Sequence, residues 1–291
     1  MKLCFASAAP SGPVNPMLKS LKQVRAAVSL LNPDEVRKRA ERQVRVGLIA
    51  ADNARFALME ETLGVGGAPL SLAYRAGHPD APARVDLVLY DSYLDAPQGA
   101  YTLHHHAPEA TVEQVMRDHE EFSLPLARQF PGLRKPVVDR IVNAVARENA
   151  FFAITTALPD VIPSLVELPW VIGEWASDTA FLTVNQVRMA FLIAAACGKP
   201  VGFGHQKLEI ASIAAGAFGW RAIARELAGK IPFGGGLIPK GLIAYAGTYM
   251  VGKGLERLHH GHAWTASDRE QAYQHGLEKG KAAITYLPSA S

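Results

Sequence analysis

Apolar positions Leu18, Leu21, Val24, Val28 and Leu31 recur at helical spacing, so Pro16–Leu31 reads as an amphipathic helix. Asn32-Pro33-Asp34-Glu35 then reads as a stop and a fresh helix start, since proline is tolerated in a first turn and acids suit its dipole. Val44–Ala50 (VRVGLIA) and Val85–Tyr90 (VDLVLY) are β-branched apolar runs that predict strands, each ending next to an acid, Asp52 and Asp91. Phe151–Thr156 (FFAITT) predicts a third strand. Strands separated by helical stretches favour an α/β layer with a parallel sheet, whose ligands sit beyond the carboxyl ends of the strands.

From about Leu168 the pattern changes to long helical runs, Ser177–Ala196 and Glu209–Ala228, that are apolar over a wide arc. Such helices are buried in a bundle, within one chain or across a homo-oligomer, or are laid into lipid. Ile231–Lys240 (IPFGGGLIPK) predicts sharp breaks rather than continuous helix. Gly241–Gly252 is apolar and lies between Lys240 and Lys253. No uncharged run reaches the roughly 18 residues of a spanning helix, so this segment reads as re-entrant or interfacial. Ala266–Ile284 reads as a polar last helix with a cap at Ser267. The expected fold is an α/β domain over residues 1–167 and an all-α helical domain over 168–291, mainly helical overall.

Composition changes this picture in two ways. At 49% hydrophobic and 20% charged residues in 291, the chain is ordered and its surface is poor in charge. The net charge of +3 is too small to argue for nucleic acid, and the neighbours of Trp220, Arg221, Arg225 and Tyr249 are apolar, which suits packing better than base stacking. The positive balance is local: Lys199, Lys207, Arg221, Arg225, Lys230, Lys240, Lys253 and Arg257 face only Glu209, Glu226 and Glu256. That excess suits an anionic membrane surface, where each nearby cation contributes about 1 kcal/mol. Two cysteines, Cys4 and Cys197, make no disulfide framework or metal motif, and the short apolar stretch in Met1–Ala9 falls at the lower limit of a signal peptide, so a cytoplasmic location is expected.

Chemistry-bearing motifs are sparse. The run from Val44 through Gly64 has the strand, loop and helix layout of a phosphate-binding loop, and resembles the start of a GTPase. The glycines and Lys-Ser pair of that motif are missing, and Asp52 would repel phosphate. Asp52, Asn53, Arg55 and Asp91 are the residues an atypical nucleotide site would use, and N-caps and strand ends are the plainer reading of the two acids. His104-His105-His106 and His259-His260-Gly261-His262 invite a metal reading carried by His104, His106, His259, His260 and His262, although adjacent histidines on a regular element point apart. No nucleophile elbow, zincin or CxxC motif occurs, and Cys197 sits in an apolar run as a small hydrophobe, so the reading leans away from an enzyme and requires no cofactor.

Thr183-Val184-Asn185-Gln186-Val187-Arg188-Met189, the following FLIAAACG, and ARELAGKIPFGGGLIPKGLIAYAGTYMVGKGLE resemble the YcjF-type domain of unknown function over about residues 168–260. That resemblance implies a helical, membrane-linked domain accompanying a GTPase, here with a first half that lacks the nucleotide machinery: a pseudo-GTPase. The expected protein is non-catalytic and associates with an anionic membrane or a protein partner such as a GTPase. Lys199, Lys207, Arg221, Arg225, Lys240 and Lys253 would make the contact, with Trp220, Phe233 and Tyr249 as apolar anchors. An atypical guanine-nucleotide-binding relative is the alternative, and a histidine-cluster metal protein the third reading.

Overall fold

The computed structural model describes residue 28 and residues 31–65, 73–77, 84–156, 178–215 and 237–285. Helix α1 (Pro33–Glu41) begins as its sequence dictates, with Asn32 Oδ1 accepting from the Glu35 amide and Pro33 in the first turn. Four short strands follow: β1 (Val46–Ile49), β2 (Ala73–Arg75), β3 (Leu87–Asp91) and β4 (Tyr101–Leu103). They form one parallel sheet in the order β2-β1-β3-β4, with Val46 opposite both Ala73 and Leu87, and Leu89 opposite Tyr101. Helix α2 (Asn53–Leu63) leaves β1 immediately and ends at Gly64, whose φ of 76° is the left-handed cap that glycine takes without strain.

The remainder of the described chain is helical: α3 (Pro108–Asp118), a 3₁₀ turn at Glu120–Phe122, α4 (Ser123–Gln129), α5 (Pro131–Thr155), α6 (Asp178–Ala196), a helical stretch at 207–215, α7 (Leu237–His259) and α8 (Ala266–Thr285). Phe151–Thr156 is the end of α5 and not a third strand. Val137, Val138, Ile141, Val142, Val145, Ala146, Asn149, Ala150, Phe152 and Ala153 are buried at helical spacing, and that packing continues through the β-branched run. The Thr155 and Thr156 hydroxyls then donate back to the Phe152 carbonyl, which closes the last turn.

The segment Leu237–Lys240, expected as part of a broken connector, is already the first turn of α7, with Pro239 where a proline costs no hydrogen bond. Leu242 through Tyr249 are buried in the bundle. Among the described residues no helix is long and apolar enough to cross a membrane. The cap of α8 is Thr265 rather than Ser267: Thr265 Oγ1 accepts from the Asp268 amide while Asp268 Oδ2 accepts from the Thr265 amide, a reciprocal capping box.

Helix α5 is the pillar around which the halves assemble. It runs antiparallel to α6, tied by the Glu148–Arg188 ion pair and by Arg134 Nε donating to the Ala196 carbonyl at 3.2 Å. It also runs antiparallel to α7, through Asn149 to Thr248 (2.8 Å) and Lys253 to Asp139 (2.8 Å). One hydrophobic core extends from Val46, Leu48 and Leu89 of the sheet through Val138 and Val142 of α5 to Met189 and Ile193 of α6 and Tyr245 and Tyr249 of α7. The sheet and bundle therefore share a core, and the expected boundary at 167/168 lies outside the described residues, as does all of Pro16–Leu31 except Val28, which is helical, and Leu31.

Candidate functional site

In the parallel sheet the chain steps outward from β1 to β2 and then returns to the far side of β1 for β3, so the crossover direction reverses between β1 and β3. Open α/β sheets place ligands at the carboxyl ends of the strands flanking such a point. Here those ends deliver Asp52 and Arg55, from the first turn of α2, opposite Asp91, the last residue of β3.

Arg55 forks onto Asp91 with Nε donating to Oδ2 at 2.6 Å and Nη2 donating to Oδ1. Asp91 is fully buried, and its Oδ1 also lies 2.8 Å from His105 Nε2. His105 Nδ1 is in turn 2.8 Å from Thr62 Oγ1 near the end of α2, so one buried imidazole bridges the sheet and the helix. The Arg55 hydrogen bonds, opposed by burial and reinforced by His105, pull the Asp91 carboxyl down to about 2. The ring of Tyr93, 80% exposed, covers the Arg55 guanidinium, with its centroid 4.1 Å from Cζ.

An oxyanion at this point would need free helix amides and a free cation. Asp52 Oδ1 already accepts from the Arg55 amide at 2.9 Å, and Arg55 is already paired bidentately. Asn53 is exposed and adds neither a cation nor a glycine. The structure thus brings Arg55 and Asp91 together, but as a closed pair. Asp52 is the N-cap that the plainer reading gave it. Asp91, read as a strand end with a cap, is the last residue of β3 and is also the buried counter-ion of Arg55. His105 was met in the sequence only as the middle of the His104-His105-His106 cluster, and Thr62 and Tyr93 were not singled out, because their roles depend on how β4 and α2 meet.

The basic residues occupy several places. Lys199 and Lys207 are exposed where α6 gives way to the 207–215 helix, and Lys240 is exposed at the start of α7. Since α7 is antiparallel to α5 and α5 to α6, Lys199 and Lys207 lie at the α7 C-terminal end of the bundle, whereas Lys240 lies at the other. Lys240 is separated from Lys253 by roughly 20 Å along the helix. Lys253 is a partly buried ion-pair residue between Asp139 and Glu256, and Tyr249 is buried in a stack on Tyr245, so neither is presented as a surface contact. Arg221, Arg225, Trp220 and Phe233 lie outside the described residues.

The α7 C-terminal end of the bundle also carries exposed apolar side chains: Leu208 at 79%, Leu258 at 53%, and Phe203, whose ring meets Phe191 edge-on. Gln206 fixes this loop from beneath, accepting from the Gly202 amide and donating to the Pro200 carbonyl, both at 2.9 Å. His205, His260 and His262 are exposed there as well, while His259 is half-buried and burial pushes its pKa down. His104 lies 3.2 Å from Gln114, His106 is exposed, and among the described residues no three His, Cys, Asp or Glu side chains are grouped as a metal ion would require. Cys197 is buried, and burial pushes its thiol up, away from the reactive thiolate. The chain matches no protein-family model, no curated protein and no solved structure.

Proposed function

We propose that the protein is a non-catalytic, peripheral membrane-binding protein that meets an anionic lipid surface with the α7 C-terminal end of its helical bundle. One observation carries this reading: Leu208, Leu258 and Phe203 are exposed at the same end as Lys199 and Lys207. Apolar side chains able to enter the headgroup layer, ringed by cations, are the pattern that binds an anionic leaflet. The resemblance of residues 168–260 to a membrane-linked helical domain points the same way, and the self-paired Arg55–Asp91 point agrees with a degenerate rather than a working nucleotide site. A membrane pellet from native cells tests it. Release by high salt is expected, because exposed charge contacts are screened. Recovery wholly in the soluble fraction would contradict it.

An atypical nucleotide-binding role is the second reading, favoured by the position of Arg55 and Asp91 at the reversal of strand order. It requires a ligand to break the Arg55–Asp91 pair. Calorimetry with millimolar guanine nucleotide tests it: heat of binding that disappears in Arg55→Gln would support it, and a flat trace would exclude it.

A further inference from the structure

Between α7 and α8 lies a cleft of about 420 Å³, a size that accommodates a small ligand. Lys253 and Arg257 line it from α7, Asp268 and His275 from α8, and His260, His262 and Trp264 from the connecting turn; Lys135 reaches in from α5. The spacing of Lys253 and Arg257 puts them on one face of α7, as that of Asp268 and His275 does on α8, and His260 follows in the turn. Trp264 rests on Gly254, where a Cβ would stand 3.1 Å from the indole, so the aromatic wall is held in place by a missing side chain.

The carboxylates of this cleft are taken up internally, while several N–H donors are not. Asp268 takes the Thr265 amide, the Thr265 hydroxyl and Arg257 (2.8 Å), and Glu256 takes Lys253. Asp139, just behind, takes both Lys135 and Lys253 at 2.8 Å. The last carbonyls of α7 are likewise occupied, with Gly261 N donating to Leu258 O and His262 N to Arg257 O. The imidazoles of His260 and His262 have no side-chain hydrogen bond among the described residues, and His275, whose ring lies against Tyr249, has a long approach of 3.7 Å to Glu278. Permanent charges balance, while one N–H of each imidazole and the far side of Lys135, 74% exposed, are left over. A ligand rich in acceptors fits, and a phosphate monoester offers the most in the smallest volume.

We propose that this cleft binds a phosphate monoester group through His260, His262, His275 and Lys135, with Trp264 as its apolar wall. The source is either a lipid headgroup at the membrane-facing end or a soluble phosphomonoester. The headgroup form rests on the membrane reading above; the soluble form does not.

The test compares wild type with His260→Ala/His262→Ala/His275→Ala, whose substitutions are on exposed side chains, and with Lys135→Gln. The probes are glycerol 3-phosphate in solution, followed by Trp264 indole resonances, and phosphatidylcholine vesicles carrying phosphatidic acid or phosphatidylserine at matched surface charge. Wild type is expected to bind glycerol 3-phosphate, and the triple variant to bind about tenfold more weakly, with Lys135→Gln in between. A preference for phosphatidic acid that the triple variant loses, while still binding phosphatidylserine, identifies the lipid source. Glycerol 3-phosphate binding without any vesicle binding keeps the cleft and overturns the membrane reading. Equal binding of both probes by wild type and triple variant, or no binding of glycerol 3-phosphate by either, overturns the cleft.

Discussion

Asp91 is a buried carboxylate kept ionised by Arg55 and His105, and its depressed pKa ties stability to pH. Such a group stabilises the fold above the unfolded-state value near 3.9, and that contribution, about 2 kcal/mol, is lost as pH falls through about 2. Asp91→Asn is expected to cost about 2 kcal/mol in urea unfolding at neutral pH, because the buried carboxylate that takes Arg55 and His105 loses its charge, and to flatten the acid limb of stability between about pH 4 and 2. An unchanged acid limb would show that Asp91 is not the linked group. Gly132, at the start of α5, is the other sharp point: a Cβ there would stand 1.8 Å from the Thr62 carbonyl oxygen. Gly132→Ala is therefore expected to cost about 3 kcal/mol by prising α2 from α5, read as a lower thermal midpoint. Asp52 as a cap was legible in the sequence because capping is local. Arg55 and Asp91 were legible as a suspicious pair, but their mutual neutralisation was not, since it depends on the reversal of strand order and on an imidazole from the turn after β4.

At the scale of elements, the sequence pattern located β1 and β3 to within three residues at each end, as well as α6 and the polar last helix, because each has a sustained period. It missed β2 and β4, three residues apiece, which have no room for a period and exist only because the sheet pairs them. It mistook the end of α5 for a strand because Ile154, Thr155 and Thr156 suit strands locally while the buried face behind them is helical. Within the bundle, Asn185 Nδ2 donates to Asn149 Oδ1 (2.9 Å), and Asn149 Nδ2 to Thr248 Oγ1 (2.8 Å), joining three helices through buried polar groups. Asn149→Ala leaves both partners without a bond and is expected to cost about 3 kcal/mol in chemical denaturation. Helix α8 is held by close backbone approach: at Gly276 a Cβ would come within 2.9 Å of Ala246 Cα. Gly276→Val is expected to loosen α8 selectively, seen as faster amide exchange in α8 than in α5.

Across the whole molecule, a shared core fixes which end of the bundle each charge occupies, and this sorts the basic residues that the sequence could only pool. Lys253 is internal, Lys240 is at the far end, and Lys199 and Lys207 share an end with Leu208 and Leu258. Helix direction is not written in composition, so no count of charges could have made this division. The most direct test is co-flotation with phosphatidylserine-containing vesicles of wild type, Lys199→Gln/Lys207→Gln/Leu208→Ser, and Lys240→Gln as the opposite-end control. Binding by wild type that falls about tenfold or more in the triple variant, is weakened by salt and is unchanged in Lys240→Gln is the predicted result. Wild type that fails to float, or a triple variant that floats as wild type does, would contradict a membrane-facing α7 end.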